Sequence, residues 1–372
     1  MKLLILTQKI DINDDVLGFF HRWVEEFAKQ CESVVVICLQ KGEYDLPENV
    51  KVLSLGKEQE ITNSKLQIPN KSKIQNSKLP LIRKTSKIFV KIKYIILFYK
   101  YIWQERKNYD TVFVHMNPEY AVLGGLFWRL AGKRIGLWYT HKSVDLKLRL
   151  AEKLAHRIFT ASRESFRMKS PKLKILGHGI CLDEFNRENL PDEKNFDIVC
   201  VGRISPIKNQ MVLAEAVKIL VNGENGKNLK VILVGGAGDS SYRGRVKAFV
   251  RSNKLEKNII FAGSVPHKKI IPYYRGAKIS VNLCPTGGMD KVVLESMLCG
   301  TPVIVFNKTF AEMLKGKNLV LENLNKNDLS DKISEWLEKS EEERKEIGKE
   351  LKETAARLHS LNGLVKKIKN NF

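Results

Sequence analysis

The feature that most constrains the fold is an alternation, occurring as two series, of short β-branched and aliphatic runs with segments of helical periodicity. KLLILT (2–7), SVVVICL (33–39), TVFVHM (111–116), IGLWYT (135–140) and RIFTAS (157–162) form the first series, with helical windows near 15–30, 118–131 and 143–155. The second follows the polar stretch NRENLPDEKN (186–195) and consists of FDIVCVG (196–202), LKVILVGG (229–236), NIIFAG (258–263), KISVNL (278–283) and TPVIVF (301–306). Strands separated by helices predict parallel sheets covered by helices, and two series predict two doubly wound α/β domains. The predicted bounds are 1–187 and 188–350. The charged helical tail beginning at 326 would end in a segment, 351–372, that packs back on the first domain. At 372 residues each half is long enough to bury a core of its own. Open sheets of this kind bind ligands beyond the carboxyl ends of their strands, so the cleft between the two domains is the expected site.

The chain carries 64 Lys plus Arg against 41 Asp plus Glu, a formal charge of +23, with 43% hydrophobic residues. That balance excludes disordered, collagen-like and mucin-like chains and points to acidic partners: nucleic acid, an anionic membrane face or phosphorylated small molecules. Six scattered cysteines, with no CxxC pair and no His at ligand spacing, argue against a disulfide framework or a zinc site. No stretch reaches the roughly 20 apolar residues of a membrane-spanning helix, and MKLLILTQ is too short for a signal-peptide core. A cytoplasmic protein is the expectation.

The charge is concentrated. Residues 61–108 hold twelve Lys or Arg and one acid, Glu105, and so supply +11 of the +23. Residues 61–80 are rich in turn formers and read as a flexible insertion. From Arg83 to Lys107 the chain lacks Gly and Pro and reads as one helix, with Ile88, Ile92, Ile95, Ile96, Tyr99 and Trp103 making an apolar stripe. Lys84, Lys87 and Lys91 fall on one flank and Lys93 and Lys100 on the other. A helix of this pattern suits two partners: an anionic bilayer, onto which the lysines snorkel, or the protein's own sheet, with the other face in water.

Two segments carry groups suited to chemistry. VGRISPIKN (201–209) ends a strand and places Arg203 and Lys208 at its carboxyl end, where two fixed cations can hold a diphosphate, although an ordinary surface pair of cations would look the same. PTGGMDKVVLESMLCGTPVIVF (285–306) turns at Gly287 and Gly288 into a short helix whose free amides and dipole suit a phosphate. Glu295, one to two turns further on, can accept both hydroxyls of a ribose or be a plain helix-surface acid. His115, His178 and His267 stand unpaired in the sequence and read as structural.

In order and spacing, GR-x-x-x-x-K (202–208), VILVGGAGD (231–239), IIFAGSVPHKKIIPYYRGAKISV (259–281) and the Gly-Gly-to-Glu295 helix with CGTPVIV resemble the nucleotide-sugar half of the GT4-type retaining glycosyltransferases. Weaker likenesses in the first half are Gly18 after the first strand, His141 in LWYTHKSVD and GHGICLDEF (177–185). The resemblance implies a GT-B fold, two Rossmann-like domains facing each other across a cleft. It further implies that Arg203 and Lys208 bind the donor diphosphate, Glu295 the ribose, and the backbone from Gly263 to Val265 the base. Gly287, Gly288, Met289, Asp290 and Lys291 would surround the phosphate and donor sugar, Gly18 would belong to the donor site, and His141 would approach the sugar. The family commonly has two glutamates separated by seven residues, and Gly287 stands where the first would be, so Asp290 is expected to replace it.

The activity so implied is a retaining, metal-independent glycosyltransferase of hexosyl type, without cofactor, acting on a nucleotide-sugar donor and a glycan or lipid-linked acceptor. Cleaving a sugar nucleotide produces an anionic leaving group, so prepositioned cations and amides can supply the main stabilisation. Peripheral attachment to the inner membrane face would run through residues 83–107. The alternatives are a nucleotide-sugar epimerase of the same fold and a basic nucleic-acid binder; against the second, no nucleic-acid motif is present and the aromatics lie in a helical stripe.

Overall fold

The computed structural model describes residues 1–14, 17–59, 79–141, 143–185, 195–223, 228–266, 269–285 and 288–372, with side chains from 89 onward in the segment that starts at 79. Gly287, His267, the linker 186–194 and the insertion 60–78 lie outside the described residues, as do the side chains of Lys84, Lys87 and Ile88. The chain divides into two compact units, Met1–Leu176 with Leu364–Phe372, and Gly177–Gly363.

Among the described residues the first unit holds β1 (Lys2–Ile10), β2 (Ser33–Lys41), β3 (Val50–Ser54), β4 (Thr111–His115), β5 (Arg134–Trp138), β6 (Arg157–Thr160) and β7 (Leu173–Ile175). They form a parallel sheet of order β3-β2-β1-β4-β5-β6-β7. Five of these strands are the five expected. β3 and β7 are short edge strands with few buried side chains, which leaves them without the apolar run that marks the others.

Helices α1 (Phe19–Gln30), α2 (Leu79–Gln104), α3 (Pro118–Leu130) and α4 (Leu146–Leu154) connect them. Side chains alternate across a strand, so Leu4 and Leu6 of β1 face one helical layer while Phe113 of β4 meets Phe27 of α1 on the other side, ring centroids 5.2 Å apart. The first layer comprises α2, α3 and α4, which contribute Phe98 and Ile102, Trp128, and Leu148 and Ala151 to one core. The buried face of α2 is therefore not the stripe that the sequence singles out. Ile92, Ile95, Ile96, Tyr99 and Trp103 are exposed, and a second apolar stripe, with Phe98 and Ile102 at its centre, packs on the sheet.

The second unit holds β8 (Phe196–Val201), β9 (Val231–Val234), β10 (Ile259–Gly263), β11 (Ala277–Asn282) and β12 (Val303–Val305), in parallel order β10-β9-β8-β11-β12. Its helices are α5 (Gln210–Asn222), α6 (Ser240–Ser252), α7 (Ile271–Arg275), α8 (Lys291–Leu298), α9 (Lys326–Glu338) and α10 (Glu341–His359). Asp239 caps α6 by accepting from the Tyr242 amide at 2.8 Å, and Asn325 caps α9 by accepting from the Asn327 and Asp328 amides. Ser340 and Glu343 close a reciprocal capping box at the start of α10.

The first unit ends at Leu176, before the boundary at 187 read from the sequence, because GHGI (177–180) is bonded into the second. The Ile180 amide donates to the His359 carbonyl at 2.8 Å and the Leu361 amide to the Ile180 carbonyl at 2.9 Å. α10 likewise stays with the second unit, packed on α8. The segment that rejoins the first unit is therefore Leu364–Phe372, carried largely by α11 (Leu361–Asn370), with the Phe372 ring 5.4 Å from that of Phe159.

α10 and α8 touch where Gly348 meets Gly300: a Cβ on Gly348 would lie 2.0 Å from the Gly300 carbonyl oxygen. Backbone opposite backbone cannot yield as a side-chain tip would. Gly348→Ala is expected to cost about 1–3 kcal/mol, read as a lowered urea midpoint with unchanged m-value; an unchanged midpoint would show that the helices part freely.

Candidate functional site

In the second unit the strand order reverses at β8, whose neighbours β9 and β11 wind outward in opposite directions. The crevice beyond the carboxyl ends of β8 and β11 is thus the topological switch point, where open α/β sheets bind ligands. Both segments that the sequence marks as chemical emerge there.

From β8 the chain runs through Gly202 and Arg203 to the single turn Pro206–Lys208, and Asn209 closes it in the left-handed region with φ of 54°. The Asn209 side chain donates to the Leu283 carbonyl at 2.9 Å, fixing this loop to the end of β11. From β11 the chain runs to Asp290, which stands at the N-cap of α8 without capping it. Its carboxylate forms an ion pair with the Lys208 ammonium and accepts from the Asn282 amide at 3.2 Å. The Lys208–Asp290 pair therefore spans the switch point. The Arg203 guanidinium is exposed and has no ion pair among the described residues.

The loop into α8 is held one residue at a time. Asn307 donates to the Gly288 carbonyl at 2.8 Å and the His178 Nε2–H to the Met289 carbonyl at 2.9 Å, while Lys208 and Asn282 hold Asp290. The Gly288 and Met289 carbonyls are thus occupied, and the positive end of the α8 dipole, which favours an anion, lies beside this loop. Lys291 opens that helix; burial lowers its pKa to about 8, and Glu295 one turn on works in the opposite direction. Glu295 is buried and its Oε2 accepts from the Tyr274 hydroxyl at 3.3 Å. Burial, then the Glu295 charge, pushes the Tyr274 phenol well above its ordinary value, so it stays a donor.

On the other side of β8, the Gly235 amide donates to the Gly263 carbonyl at 2.8 Å. Gly235 has φ of +153°, and a Cβ there would lie 2.1 Å from the Gly202 carbonyl oxygen, so the ends of β8 and β9 approach as only glycine permits. Gly263 ends β10, and Val265 packs its side chain against the core. The second unit thus brings Arg203, Lys208, Gly263, Val265, Gly288, Met289, Asp290, Lys291 and Glu295 to one sheet crest.

Gly18 and His141 belong to the first unit. Gly18 precedes α1, its amide donating to the Asp14 carbonyl at 3.0 Å. His141 is exposed beyond β5 and its Nδ1 accepts from the Ser143 amide at 3.2 Å. Among the described residues no group of three or more His, Cys, Asp or Glu side chains could hold a metal ion, and all six cysteines are free thiols.

The positions of Asn209, Asn282 and Asn307 carried no signal in the sequence, since a lone amide has no spacing to betray it. His178, read there as structural, is structural in a specific way: it holds the loop that carries Asp290.

The fold is that of solved glycosyltransferases of the GT-B class. HepE of Anabaena in complex with UDP superposes with a TM-score of 0.71 at 17% identity, covering 100% of this chain and 99% of that one. Sucrose-phosphate synthase of Thermosynechococcus elongatus gives 0.67 at 16%, covering 100% and 98%. The family then enters through the second unit: residues 183–354, just under half of the chain, match the family described as Glycosyl transferases group 1. Curated relatives include the D-inositol 3-phosphate glycosyltransferase of Corynebacterium glutamicum, 31% identical over 108 residues, 29% of this chain and 26% of that protein. The chain spans about a quarter of the length of the curated relatives it matches.

The buried His178 ring gives the site a pH dependence. Burial, then the nearby Lys291 charge, lowers its pKa from 6.5 to about 3. The unfolded chain therefore binds a proton between those values that the folded chain does not, and the folded state loses stability as pH falls through that window, by about 1.4 kcal/mol per pH unit. His178→Gln is expected to flatten the acid limb of unfolding free energy against pH, measured in urea between pH 6 and 4; parallel limbs would contradict the buried neutral ring.

Proposed function

We propose that this chain is a glycosyltransferase that moves a sugar from a nucleoside diphosphate to a hydroxyl acceptor with retention. The observation that carries the proposal is the Lys208–Asp290 pair across the switch point, at the N-terminus of α8 and inside the stretch that matches group 1 glycosyltransferases. In this reading Arg203 and Lys208 take the diphosphate, Arg203 with forked bonds and Lys208 as a point charge. The α8 amides add fixed dipoles, and Glu295 with its Tyr274 partner receives the ribose. The base lies against the backbone from Gly263 to Val265. Asp290 and the loop from Gly287 to Lys291 meet the sugar, and His141 of the first unit is assigned to the same sugar by resemblance.

The acceptor oxygen bonds to the anomeric carbon as the bond from that carbon to the phosphate oxygen breaks, and the acceptor proton passes to the departing diphosphate on the same face. Charge that develops on the diphosphate is met by groups already in place, so these cations act most strongly in the transition state. That arrangement supplies the countercharge from the protein, which is why we propose a metal-independent reaction without cofactor. HepE was solved with UDP and glucose, which puts uridine diphosphate sugars first among donors to try. The acceptor is proposed to be a glycan or lipid-linked hydroxyl of cell-surface synthesis. The comparisons offer no support for the epimerase alternative.

Arg203→Ala and Lys208→Ala are each expected to lower kcat/KM for the nucleotide sugar by about one to three orders of magnitude, through lost charge-assisted bonds. A screen of nucleoside diphosphates and their sugars by thermal shift identifies the donor on which to measure this, because a ligand of the folded state raises Tm. Unchanged turnover in both variants, with a donor that does bind, would overturn the assignment.

A further inference from the structure

α2, α3 and α4 cover one side of the first sheet with a shared inner core, and their outer sides are also apolar. α2 presents Phe89, Ile96 and Trp103, α3 presents Leu126 and Leu130, and α4 presents Leu146, all more than half exposed, with Leu130 reaching 82%. The helices are joined across this surface: the Tyr99 hydroxyl donates to the Leu123 carbonyl at 2.8 Å, the Trp103 and Phe127 rings lie 6.1 Å apart, and Arg129 donates to the Leu154 carbonyl at 2.9 Å. An apolar face of this extent on a soluble-type sheet layer calls for an occupant.

The charge identifies it. The three helices contain ten Lys or Arg and two acids, Glu119 and Glu152. Both acids are already engaged, Glu119 with Lys147 at 2.7 Å and Glu152 with Ser170 at 2.7 Å and Lys172 at 3.9 Å. A second copy of the same face would bring cations against cations. No described helix is long and apolar enough to cross a membrane. Apolar side chains with Trp and Tyr, flanked by lysines and without free carboxylates, match the region of a bilayer where acyl chains give way to anionic headgroups.

We propose that the outer face of α2, α3 and α4 docks on an anionic lipid bilayer, lying in its surface. The site is broader than the single helix 83–107: α3 and α4 contribute Leu126, Leu130 and Leu146 to the same contact, which makes it a rigid face instead of an isolated amphipathic segment. It does not rest on the transferase reading, and if both hold, it brings the first unit to a lipid-linked acceptor.

The test is co-flotation of the full chain with vesicles of phosphatidylcholine alone or with a third phosphatidylglycerol, at low and high salt. The expected result is flotation with the anionic vesicles, lost at high salt. Ile96→Glu combined with Leu130→Glu, and separately Lys93→Glu combined with Lys100→Glu, are each expected to lower partitioning by about tenfold or more, while circular dichroism, Tm and nucleoside diphosphate binding stay as in the parent. Absence of binding to anionic vesicles, binding that either pair leaves unchanged, or parent dimers that Ile96→Glu with Leu130→Glu converts to monomers would each overturn the proposal.

Discussion

The second unit is organised around one ion pair. Lys208 reaches the switch point from the loop after β8 and Asp290 from the loop after β11, and their attraction closes the crest of the sheet. What surrounds the pair serves to place it. Asn209 fixes the first loop to β11, Asn307 and His178 hold the two residues before Asp290, and Asn282 shares its carboxylate. A partly buried pair of this kind adds little stability, because desolvation offsets most of the Coulomb gain. On the proposed reading, its worth lies in holding a cation at the switch point, where a diphosphate would take it over.

This view assigns Asp290 a part that the resemblance did not imply. As the substitute for a missing glutamate it was expected at the sugar hydroxyls; in the structure it is the counter-ion of Lys208. The two roles are compatible in sequence. In the proposed function, a diphosphate that draws Lys208 away would leave the Asp290 carboxylate with Asn282, and sugar hydroxyls are suited to satisfy the rest of it.

Much of the fold was legible because its signals are local. Each buried strand is an apolar run with turn residues behind it, and α1, α3 and α4 lie within the helical windows predicted for them. The edge strands β3 and β7 were not legible, since half-exposed residues break the run. The boundary near 187 was displaced because it rested on polar composition, whereas the true division depends on hydrogen bonds between residues 177–180 and 359–361, far apart in sequence. For the site, cations and glycines at strand ends could be read from motif spacing, but the amides and the imidazole that position them act through backbone carbonyls, which no residue type announces. The helix α2 shows the limit of periodicity most clearly: it has two apolar stripes, and the sequence alone does not say which one the sheet takes.

The most direct test of the central claim, that Lys208 is held by Asp290 and released to a diphosphate, is the affinity of the full chain for a nucleoside diphosphate before and after Asp290→Asn, measured by calorimetry. Removing the carboxylate frees the ammonium and removes a negative charge from beside the ligand, so Kd is expected to fall by about tenfold, a gain of about 1.4 kcal/mol. An unchanged or weakened affinity in Asp290→Asn would contradict the account.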